Sequence, residues 1–164
     1  PDTATRLGPA LGSDVPFCLV GGTAWMEGGG EIITAVPLEP DYALAVAVPS
    51  FELATTAVYR RWDDLDGPTG AGIEGRRLPP SLREFGPFRN DLLSAALDLR
   101  PELGDWMTEL AARWQRALLL TGSGPAVCAF FADVEEAADA TTAVKGARSV
   151  WAGEPVEAGT RVVE

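Results

Sequence analysis

The sequence predicts an α+β fold in which helices cover one face of a mainly antiparallel sheet. Three observations carry that prediction. Apolar residues recur at helical spacing along one long stretch, and short β-prone runs pair around glycines. After Pro37 the elements read strand, helix, helix, helix, strand, strand, helix, strand, with no internal repeat. The 164 residues are 46% hydrophobic, enough to bury one sizeable core or two small ones.

From Gly22 to Pro37, GTAWMEGGGEIITAVP sets two β-prone runs on either side of Gly28-Gly29-Gly30, the pattern of a hairpin with a flexible tip. YALAVAVP, Tyr42 to Pro49, follows the turn residues Glu39-Pro40-Asp41, and its unbroken apolar character predicts a strand buried on both faces. In TTAVYRRWDDL, Thr55 stands where a helix cap belongs, and Val58, Arg61 and Trp62 share one side. Gly67 to Pro87 is rich in Gly and Pro, lacks any period, and reads as a long mobile connection.

Helical spacing returns at NDLLSAALDL with Asn90 as the cap. It continues beyond Pro101, where Leu103, Trp106, Met107, Leu110 and Trp114 fall at i, i+3, i+4, i+7 and i+11, a stripe that predicts core. LLLTGSGPAVCAFF reads as a hairpin around Gly122-Ser123-Gly124, and Asp133-Val134-Glu135-Glu136 as a capping box opening a helix. A last strand is expected around Val150-Trp151 or around Arg161-Val162-Val163.

Thirteen basic residues against twenty-four acidic ones leave a net charge of −11. The basic residues are scattered, so neither a nucleic acid nor an anionic membrane is an expected partner. No apolar run reaches the roughly 18 residues of a membrane span, and the first residues lack the pattern of a signal peptide, which predicts a cytoplasmic protein. Cys18 and Cys128 have apolar neighbours and no metal-ligand spacing, and are expected to be buried free thiols. The absence of histidine removes imidazole bases, Ser-His-Asp triads and His-based zinc sites, and no protein metal site is expected. Catalysis would have to rest on carboxylates, hydroxyls, backbone amides or a cofactor.

Two stretches can carry such chemistry. In GSGP, two glycines and a proline fit a tight turn, while the missing side chains and the Ser123 hydroxyl also fit a cradle for phosphate. In LGSDVPF, Asp14 two residues before Pro16 fits a helix cap, and equally a rigidly held carboxylate able to orient and deprotonate a hydroxyl.

Taken together, LGSDVPFCLVGGTAWMEGGGE, VPSFELATTAVY, NDLLSAALDLRPEL and LTGSGPAVCAFF resemble, in wording, order and spacing, the C-terminal part of the GHMP-superfamily small-molecule kinases. The likeness is strongest to the branch that acts on a cytidine-diphosphate sugar alcohol in the non-mevalonate isoprenoid pathway, and it runs over nearly the whole chain from Leu11. It implies that residues 1–37 close an N-terminal domain and that residues 38–164 form a ferredoxin-like C-terminal domain. It also implies transfer of the ATP γ-phosphoryl group to the substrate's 2-hydroxyl, with Mg²⁺ arriving on the ATP. Asp14 would be the catalytic base or the group that orients the substrate hydroxyl, and Gly122, Ser123 and Gly124 the loop beside the nucleotide phosphates and substrate. Tyr59 would stack on the cytosine, with Thr55 contacting substrate one helical turn earlier. A tyrosine packed on the sheet and a plain helix cap fit the same two positions.

The chain departs from that family in three ways. It lacks the strand whose lysine pairs with the catalytic aspartate, and the phosphate-wrapping motif of the type P-x-G-x-G-L-G-G-G-S. The usual G-R-G-E stands as Gly28-Gly29-Gly30-Glu31, without its arginine. The expectation is a fragment, inactive alone, whose partner is the missing N-terminal half of the kinase. Two other readings stay open: a homoserine- or mevalonate-type kinase of the same superfamily, and a non-catalytic ferredoxin-like module that binds a small molecule or regulates.

Overall fold

The computed structural model describes residues 3–65, 67 and 72–160. The chain divides into two compact units, Pro1–Pro40 with Pro155–Glu164, and Asp41–Glu154.

The first unit contains α1 (Thr3–Leu11), α2 (Val15–Val20) and the antiparallel hairpin β1 (Thr23–Glu27) and β2 (Ile32–Val36), paired from Thr23–Val36 to Glu27–Ile32. The hairpin tip is pinned where the sequence predicts flexibility. Gly30 N–H donates to the Glu27 carbonyl at 3.1 Å, and the Glu31 carboxylate accepts from Gly29 N–H at 2.7 Å. Gly30 has φ +96°, and a Cβ there would lie 2.2 Å from the Ser13 carbonyl oxygen, so only glycine lets the tip close onto that turn. The segment from residue 155 joins this unit through Gly22 N–H to Val156 O at 3.2 Å and Gly159 N–H to Val20 O at 3.0 Å.

Among residues 7–40 and 155–160, burial is confined to Gly8, Pro16 and Gly30, while Leu11, Trp25 and Ile32 remain exposed. A two-stranded hairpin without an apolar face to bury has little stability of its own. The expected burial of Cys18 fails here. It lies exposed on α2, a six-residue helix with no core beneath it to cover the thiol.

The second unit has the element order read from the sequence: β3 (Ala43–Pro49), α3 (Thr55–Asp64), α4 (Leu93–Leu99), α5 (Pro101–Trp114), β4 (Leu119–Leu120), β5 (Val127–Phe131), α6 (Val134–Ala140) and β6 (Ala147–Gly153). Its sheet is antiparallel throughout, in the order β4-β5-β3-β6. Strand β3 departs from the predicted two-sided burial. Ala43, Ala45 and Ala47 are fully buried, but Leu44, Val46 and Val48 on the other face are only half-buried. The alanines leave room for helices to approach, and they share a core with Leu103, Leu110, Trp114, Val127, Phe131 and Ala137. Trp106 and Met107 pack against that core, which completes the predicted stripe of α5. The capping box of α6 also forms: Glu136 N–H donates to Asp133 Oδ1 at 2.8 Å, and Glu136 Oε2 accepts from Ala132 N–H at 3.0 Å. The last strand is β6, around Val150-Trp151, and the alternative at residues 161–163 lies outside the described residues.

The predicted mobile connection lies partly outside the described residues, at 68–71. From residue 72 it is ordered. Short 3₁₀ turns span Gly75–Arg77 and Pro80–Phe85, Ile73 and Phe88 form an antiparallel bridge, and Ile73, Leu78 and Leu82 are buried. Prolines break the periodicity that would have betrayed these apolar anchors.

Among the described residues no helix is long and apolar enough to cross a membrane. On β5, burial pushes the Cys128 thiol up to about 11. Iodoacetamide at pH 8 is therefore expected to label exposed Cys18 while leaving Cys128 unmodified in the folded chain, since the thiolate is the reactive form. Peptide mass spectrometry checks this, and equal labelling of both cysteines would contradict the burial of Cys128.

Candidate functional site

The link between β4 and β5 is a turn from Thr121 to Gly124, closed by Gly124 N–H donating to Thr121 O at 2.9 Å. Positive φ at Gly122, +53°, and its absence at Ser123 is the pattern of a II′-type hairpin turn. A Cβ on Gly122 would meet nothing within 4 Å, so glycine serves the backbone angle here and not a crowded contact. Gly124, at φ +81°, would bring a Cβ to 2.8 Å from Leu120 Cδ1. Turn geometry thus accounts for both glycines and still leaves the backbone bare. Among the described residues, neither the Gly122 nor the Ser123 amide donates a hydrogen bond.

This loop meets the start of α3. Thr55 Oγ1 and Ser123 Oγ lie 2.9 Å apart, either able to donate to the other. The sequence predicts Thr55 at the helix cap. The cap residue is Ala54, and no side chain caps the helix, so the Thr55 hydroxyl serves the loop and not its own helix. The uncapped N-terminus of a ten-residue helix and two unengaged loop amides are thereby brought side by side, an arrangement that favours an anion. Tyr59, four residues on, shares the Thr55 face of α3 and is 53% exposed, which leaves about half of its ring free for a ligand. At the other end of α3, Arg61 Nε donates to Asp98 Oδ2 at 2.6 Å, and that hydrogen bond raises the guanidinium pKa further.

Asn90 is the residue whose part in this site the sequence did not reveal. Its place before an apolar run predicts a helix cap, but α4 begins at Leu93 and its cap residue is Leu92. Asn90 Oδ1 accepts from Leu92 N–H at 2.9 Å, which shapes the turn ahead of α4. Its Nδ2 donates to Leu120 O at 2.8 Å and Gly122 O at 2.7 Å. An asparagine before an apolar run looks like a cap, and no local signal shows that its amide hydrogens reach a loop thirty residues away.

Asp14 belongs to the first unit and the loop to the second. It occupies the residue before α2, with Pro16 in the first turn, yet its backbone is helical (φ −87°, ψ −11°) and its side chain makes no capping bond. The carboxylate is exposed and unused by the helix it precedes. Among the described residues no three His, Cys, Asp or Glu side chains gather as a metal cage.

No protein-family model matches the chain. Curated relatives do. It is 40% identical over 144 residues to a 4-diphosphocytidyl-2-C-methyl-D-erythritol kinase from Moorella thermoacetica, covering 84% of this chain and 50% of that one. Proteins of the same name match at 38% identity in Cutibacterium acnes (79% of this chain, 44% of the relative) and 34% in Corynebacterium glutamicum (92% and 50%). The chain spans about half the length of the curated relatives it matches. Among solved structures, a crystal structure of a 4-(cytidine 5'-diphospho)-2C-methyl-D-erythritol kinase superposes with a TM-score of 0.67 at 28% identity, over 91% of this chain and 55% of that one. A homoserine kinase from Cytophaga hutchinsonii superposes with a TM-score of 0.63 at 16% identity, over 91% and 53%, a likeness of fold alone.

Proposed function

Since the chain is a homologue of the 4-diphosphocytidyl-2-C-methyl-D-erythritol kinases over about half their length, we propose that it supplies one half of such an enzyme. In this reading residues 1–37 close the N-terminal domain and residues 38–164 form the C-terminal one. The enzyme works in the cytoplasm on isoprenoid precursors.

The observation that carries the reading is the 2.9 Å hydroxyl pair of Thr55 and Ser123, which joins a helix N-terminus to a bare glycine turn. That donor set suits phosphate oxygens: amides of Gly122 and Ser123, two hydroxyls and a helix dipole, with no carboxylate among them. ATP binds with its phosphates toward this loop and brings Mg²⁺ with it, which neutralises charge on the transferring group. The exposed Tyr59 ring stacks on the cytosine of the substrate. The substrate hydroxyl oxygen attacks the γ-phosphorus, its proton passes to the Asp14 carboxylate, and the bond from the γ-phosphorus to the β,γ-bridging oxygen breaks as ADP departs with that oxygen. Exposed Leu11, Trp25 and Ile32, in a unit with few buried side chains among its described residues, fit a surface that the rest of the kinase covers.

Joined to the other half of a full-length kinase, this chain is expected to support ATP-dependent phosphorylation of 4-diphosphocytidyl-2-C-methyl-D-erythritol, and alone to bind ATP weakly. Micromolar ATP affinity by calorimetry for the chain alone, or an inactive joined enzyme that folds correctly, would count against the reading. In that joined enzyme Tyr59→Ala is expected to weaken substrate binding by about 1–3 kcal/mol, the range for base–aromatic stacking, while Tyr59→Phe stays mild. Unchanged substrate affinity of the alanine variant would remove Tyr59 from the site.

A further inference from the structure

We propose that Asn90 is a positioning residue that sets the conformation of the glycine turn and aims the Ser123 amide outward. Resting on the phosphate-site reading above, the proposal adds what holds that site in shape.

In a trans planar peptide the C=O and the following N–H point in opposite directions. Asn90 Nδ2 draws the Leu120 and Gly122 carbonyl oxygens toward itself, at 2.8 and 2.7 Å. The N–H groups of Thr121 and Ser123 must then point away from it. For Thr121 this is observed, since its N–H donates to Ala126 O at 2.9 Å across the hairpin. For Ser123 the same constraint directs the N–H to the side opposite Asn90, where it meets no acceptor among the described residues. The third hydrogen bond of Asn90, from Leu92 N–H to Oδ1 at 2.9 Å, fixes the side-chain amide against the turn that leads into α4. One side chain therefore ties two carbonyls on either side of Thr121 to a helix start. Gly122, with φ +53° and no neighbour within 4 Å of a Cβ, would otherwise be free to rotate that peptide.

Two variants of the ¹⁵N-labelled chain test this. Asn90→Ala is expected to leave the β3 and β5 amide resonances in place while those of Gly122 and Ser123 shift and exchange at least tenfold faster. Asn90→Asp places an ionised carboxylate against two carbonyl oxygens, so its loop resonances are expected to titrate. They should move toward the parent positions at low pH, where the protonated acid regains one O–H donor. A purely structural role would move resonances throughout the unit without such a titration. Loop resonances and exchange rates unchanged in Asn90→Ala would overturn the proposal. In the full-length joined kinase, Asn90→Ala is expected to raise KM for ATP about tenfold. Shifted loop amides with an unaltered KM would support the hold of Asn90 on the turn and overturn the phosphate role of the loop, so the two readings fail separately.

Discussion

Trp114→Ala is expected to destabilise the Asp41–Glu154 unit by about 3–5 kcal/mol, the range for removing a large buried aromatic side chain. Trp114 is 4% exposed at the end of α5, its ring meets Phe131 edge-on at 5.8 Å, and its Nε1–H donates to Ala140 O at 2.8 Å. The substitution thus removes apolar contact, an aromatic pair and the bond that ties the end of α6 to α5. Small domains have only about 5–15 kcal/mol in total, so the variant should be near its limit at 37 °C. Trp114→Phe retains most of the buried area and loses the hydrogen bond, and is expected to fall between the two. Urea unfolding followed by circular dichroism reads the midpoint shift, with an unchanged slope as the sign that stability alone has moved. A midpoint for Trp114→Ala close to the parent's would mean that the core is not centred on this residue.

Trp114 also shows what made parts of this fold legible. Its place in a 3.6-residue repeat with Leu103 and Leu110 needs no knowledge of the partner surface, because burying one helix face is enough to write that repeat. The capping box at Asp133 and Glu136 is equally local, with donor and acceptor three residues apart. Thr55 and Asn90 are different. Both residue types belong at helix starts, and both stand close to one, yet their hydrogen bonds run to Ser123 and to Leu120 and Gly122. Propensity cannot separate a cap from a brace when the same side-chain atoms serve either. The segment 72–88 escaped for the opposite reason. Its anchors Ile73, Leu78 and Leu82 follow the spacing of two proline-broken turns, which matches neither sequence period. Cys18 misled because apolar neighbours in sequence predict burial only where a core exists to receive them.

Asp14→Asn in a full-length kinase carrying this chain is expected to lower kcat by roughly 10²–10⁴, the usual contribution of a general acid–base group, with the fold unaffected. The helix-cap alternative had one physical basis, a carboxylate oxygen accepting from the first turn of α2, and that bond is absent. The backbone at Asp14 is helical instead of extended, and Pro16 brings no amide hydrogen to be capped. Asparagine of nearly equal size should therefore leave the melting of the chain within about 0.5 kcal/mol of the parent, as for an exposed substitution away from caps and cores. What remains is an exposed carboxylate on a turn whose preceding residue, Ser13, the hairpin tip approaches so closely at Gly30 that a Cβ there would lie 2.2 Å from the Ser13 carbonyl oxygen. A proton acceptor needs such fixed placement, because proton transfer falls off steeply with misalignment. In this chain, which has no histidine, a carboxylate is one of the side chains that can act as a proton acceptor. The assay must be run at saturating ATP and sugar-alcohol substrate, so that the loss falls on kcat with KM little changed, the mark of an interaction made in the transition state. If the asparagine variant turns over at close to the parent rate, the proton leaves by another route and Asp14 has no catalytic part.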